Sequence, residues 1–535
     1  MGRTLACCTE PPTRDAGMLR ARSSGSSGAA GLACASRAPL RWGPNFVDEL
    51  AERSLSRLSD VQVAQLTRWL HGAELGWGSG CSGTDSPAWV FRALKAQLEH
   101  RACRADFPQV FGAEADRRKR GFILETGDPE QLFACIYDLG LPEADCCKSL
   151  RPVLVDERHR LRLFIAGFSC KTVSGLQQTH RDSAEQCITD GTGTTGFTFN
   201  GVLLVLSRRN PKFFILENVC GLQRSGQLEI VLAKLERVGP GYVVAHRVFN
   251  PKDDAGIPQD RPRIYIIGLD KSCVGACSSA IVQERFSYIA DKLGEGHEMM
   301  DVDGFLYDET HPTICERREH FRARVREGAR FQQAIGGKWV RRQELLREQK
   351  QGARHPSASA WDPGLAMLYP EVELLPAREL GLLDMRGIRF PHQSAQCLNT
   401  SQSDASGGEG YVSTLTPQGR FWLAHRCRHL LGAEALSFQG IYIDPDTVSA
   451  DDRLLHDLAG NAFNTASFMH ALIALLAIAA ELDDHGSKAS GIAASGSPSA
   501  SASFGKGARD AKLASGELLS ESDSDSESEL WHWQK

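Results

Sequence analysis

The amino-acid sequence predicts an α/β protein: a mostly parallel sheet with helices on it, interrupted by a smaller second domain. Three observations carry this expectation. Short apolar runs at Leu161–Gly167, Lys212–Leu216 and Arg263–Leu269 read as buried strands, and helical patterns such as Gly201–Ser207 lie between them. A glycine-rich turn, Gly78 to Gly83, leads into a helical run, Ala88–Leu98. The rhythm then fails over 272–411, which is polar, Arg-rich and irregular, and it returns from about Val412.

The expected organisation follows. Residues 1–40 are rich in Arg, Ser, Ala and Gly and read as a disordered leader, with an organelle transit peptide as the alternative. The α/β domain spans 70–271, the insert 272–411, and the closing part of the α/β domain 412–482. The stretch 485–535 runs through SESDSDSESE and reads as a solvated acidic tail, unsuited to polynucleotide. Phe468–Ala480 is apolar but contains His470 and is too short to span a bilayer, so it reads as a buried core helix, with no membrane expected.

Composition bounds the function. The hydrophobic share of 42% and charged share of 24% are those of a globular protein, and the net charge of −5 leaves any nucleic-acid surface to a local patch. The 16 cysteines are scattered, with no C-x-x-C pair and no four-ligand pattern, so no metal is expected. No signal-peptide h-region opens the sequence, which predicts an intracellular protein with reduced thiols.

Five blocks carry chemistry. The turn Gly78–Pro87 places Cys81, Ser82, Gly83, Thr84 and Asp85 where a ligand can approach backbone N–H groups at a helix start; a plain surface turn is the alternative. Glu114 closes the next apolar segment and is the candidate for a ribose; Asp138, in Tyr137-Asp138-Leu139, is the candidate for the following strand end, near an adenine. Cys170 stands just past the tip of the strand Leu161–Gly167, where open α/β sheets bind ligands. A thiolate there is a nucleophile; taken alone, Cys170 also reads as a small buried side chain. Glu217 follows four apolar residues, so desolvation would raise its pKa and suit it to give a proton, or it serves as a structural acid. Gln259, Arg261 and Arg263 alternate and share one face of an extended segment, a row that suits phosphate, a base carbonyl or a carboxylate.

In this order the blocks resemble the cytosine-5 DNA methyltransferase family. The likeness covers about 75–480 and includes Arg428, Glu434, Gln439-Gly440 and Gly460-Asn461-Ala462. It implies a class I S-adenosylmethionine-dependent methyltransferase fold, Rossmann-like, with a target-recognition domain in the insert. It implies S-adenosyl-L-methionine as cofactor, held by Cys81–Asp85, Glu114, Asp138 and Asn461. Cys170 would add to carbon 6 of cytosine, Glu217 protonate ring nitrogen 3, Arg263 bind the base carbonyl and Arg261 position the site. The base must be flipped out or unpaired, and Thr192–Phe199 looks like part of a flexible catalytic loop closing over it.

The resemblance implies a monomer acting on DNA in the nucleus; RNA is the alternative substrate, and the leader leaves chloroplast or mitochondrion open. The basic stretch 317–354, from Arg317 and Arg318 to Arg354 with Phe331 and Trp339 among its cations, suits a phosphate backbone or a solvated helix. Two departures stand out. Ser169 replaces the proline that family members usually carry before the cysteine, and Gly78 replaces the usual aromatic, with Trp77 one residue away. A non-catalytic binding protein is the reading Ser169 favours. A dinucleotide oxidoreductase lacks its G-x-G-x-x-G spacing and a zinc base deaminase its P-C-x-x-C.

Overall fold

The computed structural model describes residues 42–335 and 395–493, apart from 157–158, 175–186, 276, 402–406 and 445–447, with Leu40, Glu371, Leu375, Glu379, Leu382 and Leu383 besides. Side chains at 324–335 and 485–493 lie outside that description. So do the leader apart from Leu40, nearly all of the acidic tail, and the side chains of the basic stretch from Arg324 onward, Phe331 and Trp339 included.

Seven strands form the central sheet: β1 (Gly76–Gly80), β2 (Gln109–Ala113), β3 (Gln131–Phe133), β4 (Leu161–Ala166), β5 (Phe213–Val219), β6 (Tyr242–Phe249) and β7 (Arg263–Asp270). Their spatial order is β3-β2-β1-β4-β5-β7-β6. The strands from β1 to β5 pair in parallel, whereas β7 runs antiparallel between β5 and β6. The chain winds outward from β1 to β3 and returns at β4, beside β1. That reversal opens a crevice at the carboxyl ends of β1 and β4, the ligand position of open α/β sheets.

The period of two along a strand explains the two cores. Leu163, Ile165, Phe213 and Ile215 face one side, and Phe164, Ala166, Phe214 and Leu216 the other. Helix α1 (Pro87–His100) packs on the first side and α2 (Gly193–Arg209) on the second. Proline opens α1 where its missing N–H costs nothing. Helix α3 (Ser279–Gly294) and α4 (Thr465–Ala493) add to the first core, and every residue of 466–480, His470 included, is buried.

The segment after 271 departs from the expected insert. Helix α3 buries Phe286, Ile289, Ala290 and Leu293 against the same core as the sheet, and Val302 and Phe305 follow. Its apolar face recurs at helical spacing, but the many charges between disguise it in a composition reading. Farther on, Gln396–Asn399, Gly407–Glu409, Phe421–Leu423 and Arg428–His429 form a small antiparallel sheet that runs through the expected boundary at Val412. A parallel pair, Gln259–Asp260 with Val412–Ser413, ties this part to the strand that leads into β7.

Candidate active site

Adjacent parallel strands bring their tips together, so β4 and β5 place Cys170 and Glu217 at one end of the sheet. The loop after β4 is packed from above: a Cβ at Gly167 would lie 2.7 Å from the Phe463 ring. Asn218 Nδ2 donates to the Phe168 carbonyl at 2.9 Å, tying the cysteine loop to β5. Tyr265 of β7 lies opposite Glu217 and Arg263 opposite Val219, which makes Arg263 the diagonal neighbour of Glu217. Arg263 Nε stands 3.2 Å from Glu217 Oε1. Arg261 is buried and donates to the carbonyls of Leu415 at 2.8 Å, Gly460 at 3.0 Å and Ala462 at 2.9 Å. It joins the β7 entry to the returning C-terminal segment, and its fork geometry suits three carbonyls better than a lysine would.

The four side chains share one electrostatic environment. Burial pushes the Glu217 carboxyl above its ordinary value, and Arg263 and then Arg261 pull it partly back. Burial likewise raises the Cys170 thiol; Arg263 opposes this and Glu217 adds to it. Arg261 is pushed down to about 9 by burial and then by the like charge of Arg263. Tyr265 contributes a buried hydroxyl with no hydrogen-bond partner among the described residues. Burial thus favours the neutral thiol at Cys170 and the protonated carboxyl at Glu217.

The crevice next to it is lined by the tips of β1, β2 and β3. The turn after β1 is left-handed at Cys81, Gly83 and Asp85, with φ of 53°, 57° and 56°. Gly83 N–H donates to Glu114 Oε2 at 2.8 Å, and Glu114 Oε1 takes the Asp116 N–H at 2.9 Å. Asn461 lies over the same turn, its carbonyl 3.5 Å from where a Cβ on Gly83 would stand. Cys81, Glu114 and Asn461 thus converge on one cradle, with Ser82 and Gly83 supplying backbone. Thr84 and Asp85 turn inward instead: Thr84 Oγ1 bonds Ser86 Oγ at 2.6 Å, and Asp85 Oδ2 takes Gln109 Nε2 at 2.5 Å. Burial raises the Asp85 carboxyl to about 6, and its Oδ1 has no partner among the described residues. Asp138 sits not at a strand end but in a single 3-10 turn, Ile136–Gly140, where its Oδ2 accepts from the Cys135 N–H at 3.1 Å. The residue nearer the β3 tip is Cys135, close enough to Cys81 to act on it electrostatically.

Comparison with known proteins agrees with this geometry. Residues 157–356 match the family described as C-5 cytosine-specific DNA methylase. The chain is 26% identical over 467 residues, 81% of its length, to DNA (cytosine-5-)-methyltransferase DMT5 of Cryptococcus neoformans var. grubii, and covers 18% of that protein. It is 24% identical over 461 residues to DNA (cytosine-5-)-methyltransferase DMT5 of Verticillium dahliae, covering 75% of this chain and 19% of that protein. Over 155 residues it is 37% identical to the type II methyltransferase M.BanI of Aneurinibacillus aneurinilyticus, covering 28% of this chain and 31% of that one. The C-5 cytosine-specific DNA methylase match thus spans the segment that carries Cys170, Glu217, Arg261 and Arg263. The chain spans less than a fifth of the length of the two fungal relatives.

Packing around β1 accounts for the departures at Gly78 and Trp77. Gly78 is forced: a Cβ there would lie 2.4 Å from the ring of Phe111, its partner on β2. Trp77 does not replace the missing aromatic. It points to the opposite face of β1, stacks on Phe91 at 4.8 Å and donates to the Phe107 carbonyl at 3.1 Å. Thr192–Phe199 is not a loop. Thr192 is the N-cap and Gly193 begins α2, because Thr195, Gly196 and Phe199 bury one face against the second core. Of the basic stretch, Arg317 pairs with Glu371 and Asp452, Arg318 with Glu309 and Arg322 with Glu319. Asn218, directly after Glu217, and the threonines of α2 contact the cysteine loop, a contact that sequence motifs did not show.

Proposed function

We propose that this chain methylates carbon 5 of cytosine in DNA through a covalent adduct with Cys170. The observation that carries this is the convergence of Cys170, Glu217 and Arg263 beside the Cys81–Glu114–Asn461 cradle, within a match to a cytosine-specific methylase family. The fungal relatives and the family description favour DNA over RNA, and a DNA substrate goes with a nuclear location.

The cradle fits S-adenosylmethionine: a left-handed turn with no side chain at Gly83, the Glu114 carboxylate at the β2 tip and Asn461 above. Bound there, the cofactor supplies an electrophilic methyl group. Cys170, as thiolate, adds to carbon 6 of the base, and Glu217 delivers its proton to ring nitrogen 3, so no negative charge accumulates on the ring. Arg263 holds Glu217 in place and offers its remaining N–H groups to the base carbonyl oxygen. Carbon 5 is thereby made nucleophilic. After methylation, the carbon 5 proton leaves to water and Glu217 takes back the proton on ring nitrogen 3, so the Cys170 sulfur departs as thiolate and the aromatic ring is restored.

The test is trapping. Duplex DNA carrying 5-fluorocytosine cannot lose fluorine as a proton, so with S-adenosylmethionine the adduct persists through denaturing electrophoresis. A band with DNA that is lost in Cys170→Ser supports the reading. A band with matched RNA alone moves the substrate to RNA, and no band with either, across a panel of sequence contexts, removes the catalytic assignment.

A further inference from the structure

The cysteine loop is gripped on both sides of Cys170 by one helix end. Ser169 N–H donates to Thr198 Oγ1 at 2.9 Å, and Thr172 N–H donates to Thr195 Oγ1 at 3.0 Å. Ser169 Oγ also meets Thr194 Oγ1 at 3.2 Å and takes the Lys171 N–H at 3.4 Å. All three threonines lie in the first turns of α2. The Thr198 hydroxyl proton goes to the Thr194 carbonyl at 2.8 Å, which leaves its lone pairs free to accept from Ser169. The helix end is itself fixed, since Tyr137 Oη donates to the Phe197 carbonyl at 2.9 Å and the two rings lie 4.7 Å apart.

We propose that Thr198, with Thr194 and Thr195, is the positioning device for Cys170, replacing by hydrogen bonds the rigidity that a proline at 169 gives related enzymes. The proposal rests on Cys170 being the nucleophile. Proline has no N–H, so it cannot make the bond from 169 to Thr198. The two solutions are therefore alternatives: a chain with Ser169 needs the threonines, and a chain with proline does not. This reverses the meaning of Ser169. It is part of a built latch and no sign of decay, and Thr198 touches neither base nor cofactor in this scheme.

The experiment is a double-mutant cycle read in two ways on the full chain. Thr198→Val keeps the shape and removes the hydroxyl; the single-turnover rate of adduct formation on 5-fluorocytosine DNA should fall about 10-fold or more. Affinity for S-adenosylhomocysteine and KM for DNA should stay as they are, and Thr198→Ser should restore the rate. Ser169→Pro should keep most of the parent rate, and Thr198→Val should cost little further in the Ser169→Pro background. A Thr198→Val enzyme as fast as the parent, or the same slowdown from Thr198→Val in the Ser169→Pro background, overturns the proposal. The second readout is alkylation of Cys170 by iodoacetamide, followed by peptide mass against pH, which needs no methyl transfer. If no nucleic acid is methylated but Thr198→Val changes that profile and Thr198→Ser does not, the catalytic reading fails and the latch stands. If methylation is intact and both readouts ignore Thr198, the latch fails alone.

Discussion

Glu217 and Arg263 face each other diagonally across two antiparallel strands, 3.2 Å apart and each with a side chain only 13% exposed. The two members shift the Cys170 thiol in opposite senses, Arg263 lowering it and Glu217 raising it. An acid that must give a proton and a thiol that must lose one are coupled here, and their titrations belong to the set as a whole.

The first prediction is a plateau in kcat/KM against pH with an unusual assignment. The active form carries one proton on the pair, with Glu217 protonated and Cys170 ionised. Burial raises both groups, from ordinary values at which the carboxyl is by far the stronger acid. The rate rises as the first proton leaves, chiefly from Glu217, and falls when the second leaves, chiefly from Cys170. Glu217→Gln should move the acid limb up to the ionisation of Cys170 and remove the alkaline limb, so that the rate climbs with pH and then levels off, and should cost about 10²–10⁴ in rate at neutral pH. A parent acid limb that survives in Glu217→Gln refutes the assignment.

Arg261 is expected to act on stability as much as on rate. Arg261→Met leaves the carbonyls of Leu415, Gly460 and Ala462 without their donors. Buried acceptors left unpaired cost roughly 1–3 kcal/mol each, less what water recovers. A net loss of about 3 kcal/mol should appear as a lower urea midpoint at unchanged m-value. Arg261→Lys should recover only part of it, since one ammonium cannot span three carbonyls with the reach of a guanidinium fork.

The sheet was legible in the sequence where burial leaves a continuous apolar run, as in β4, β5 and β7. The strand tips followed, because Cys170, Glu217 and Glu114 come directly after such runs. What was not legible depends on contacts distant in the chain. Nothing local shows that Phe111 fills the space beside Gly78, or that Thr198 will meet Ser169, 29 positions earlier. Thr192–Phe199 carries glycines and threonines that favour a loop on propensity, yet tertiary burial of Thr195 and Phe199 makes it helix. Helix α3 was hidden for the converse reason, its buried face being outnumbered by charges.

A third prediction concerns acid stability. His470 is fully buried, with neither ring nitrogen partnered among the described residues, and His297 stacks on it at 6.0 Å. Burial, followed by nearby cations, holds His470 well below its ordinary value; burial and then Arg57 push His297 down to about 4. Both folded values lie below the unfolded one, so the unfolded chain takes up protons first as pH falls through about 6.5, and stability is lost from there toward pH 4. Asp85 and Asp254, raised to about 6, act in the opposite sense between about pH 6 and 4. The difference between parent and His470→Leu isolates the histidine contribution. That difference should favour the variant increasingly below pH 6.5, measured by urea unfolding; a pH-independent difference refutes it.

The last prediction tests why Gly78 is glycine. Its φ is not in the left-handed region, so the backbone would accept a side chain, and only the Phe111 ring 2.4 Å from the Cβ position forbids one. Gly78→Ala should therefore cost about 1–3 kcal/mol by overpacking, and Gly78→Phe more. Phe111→Gly should also destabilise, because it empties a site that is fully buried and filled by an aromatic ring. The two changes together move the ring from β2 to β1, to the position where related enzymes carry it. Gly78→Phe with Phe111→Gly should thus be more stable than either single variant, by thermal unfolding. Its affinity for S-adenosylhomocysteine, by calorimetry, then reports whether an aromatic at 78 adds a stacking contact in the cradle. If Gly78→Ala proves neutral, the ring does not exclude a side chain, and the glycine has another cause.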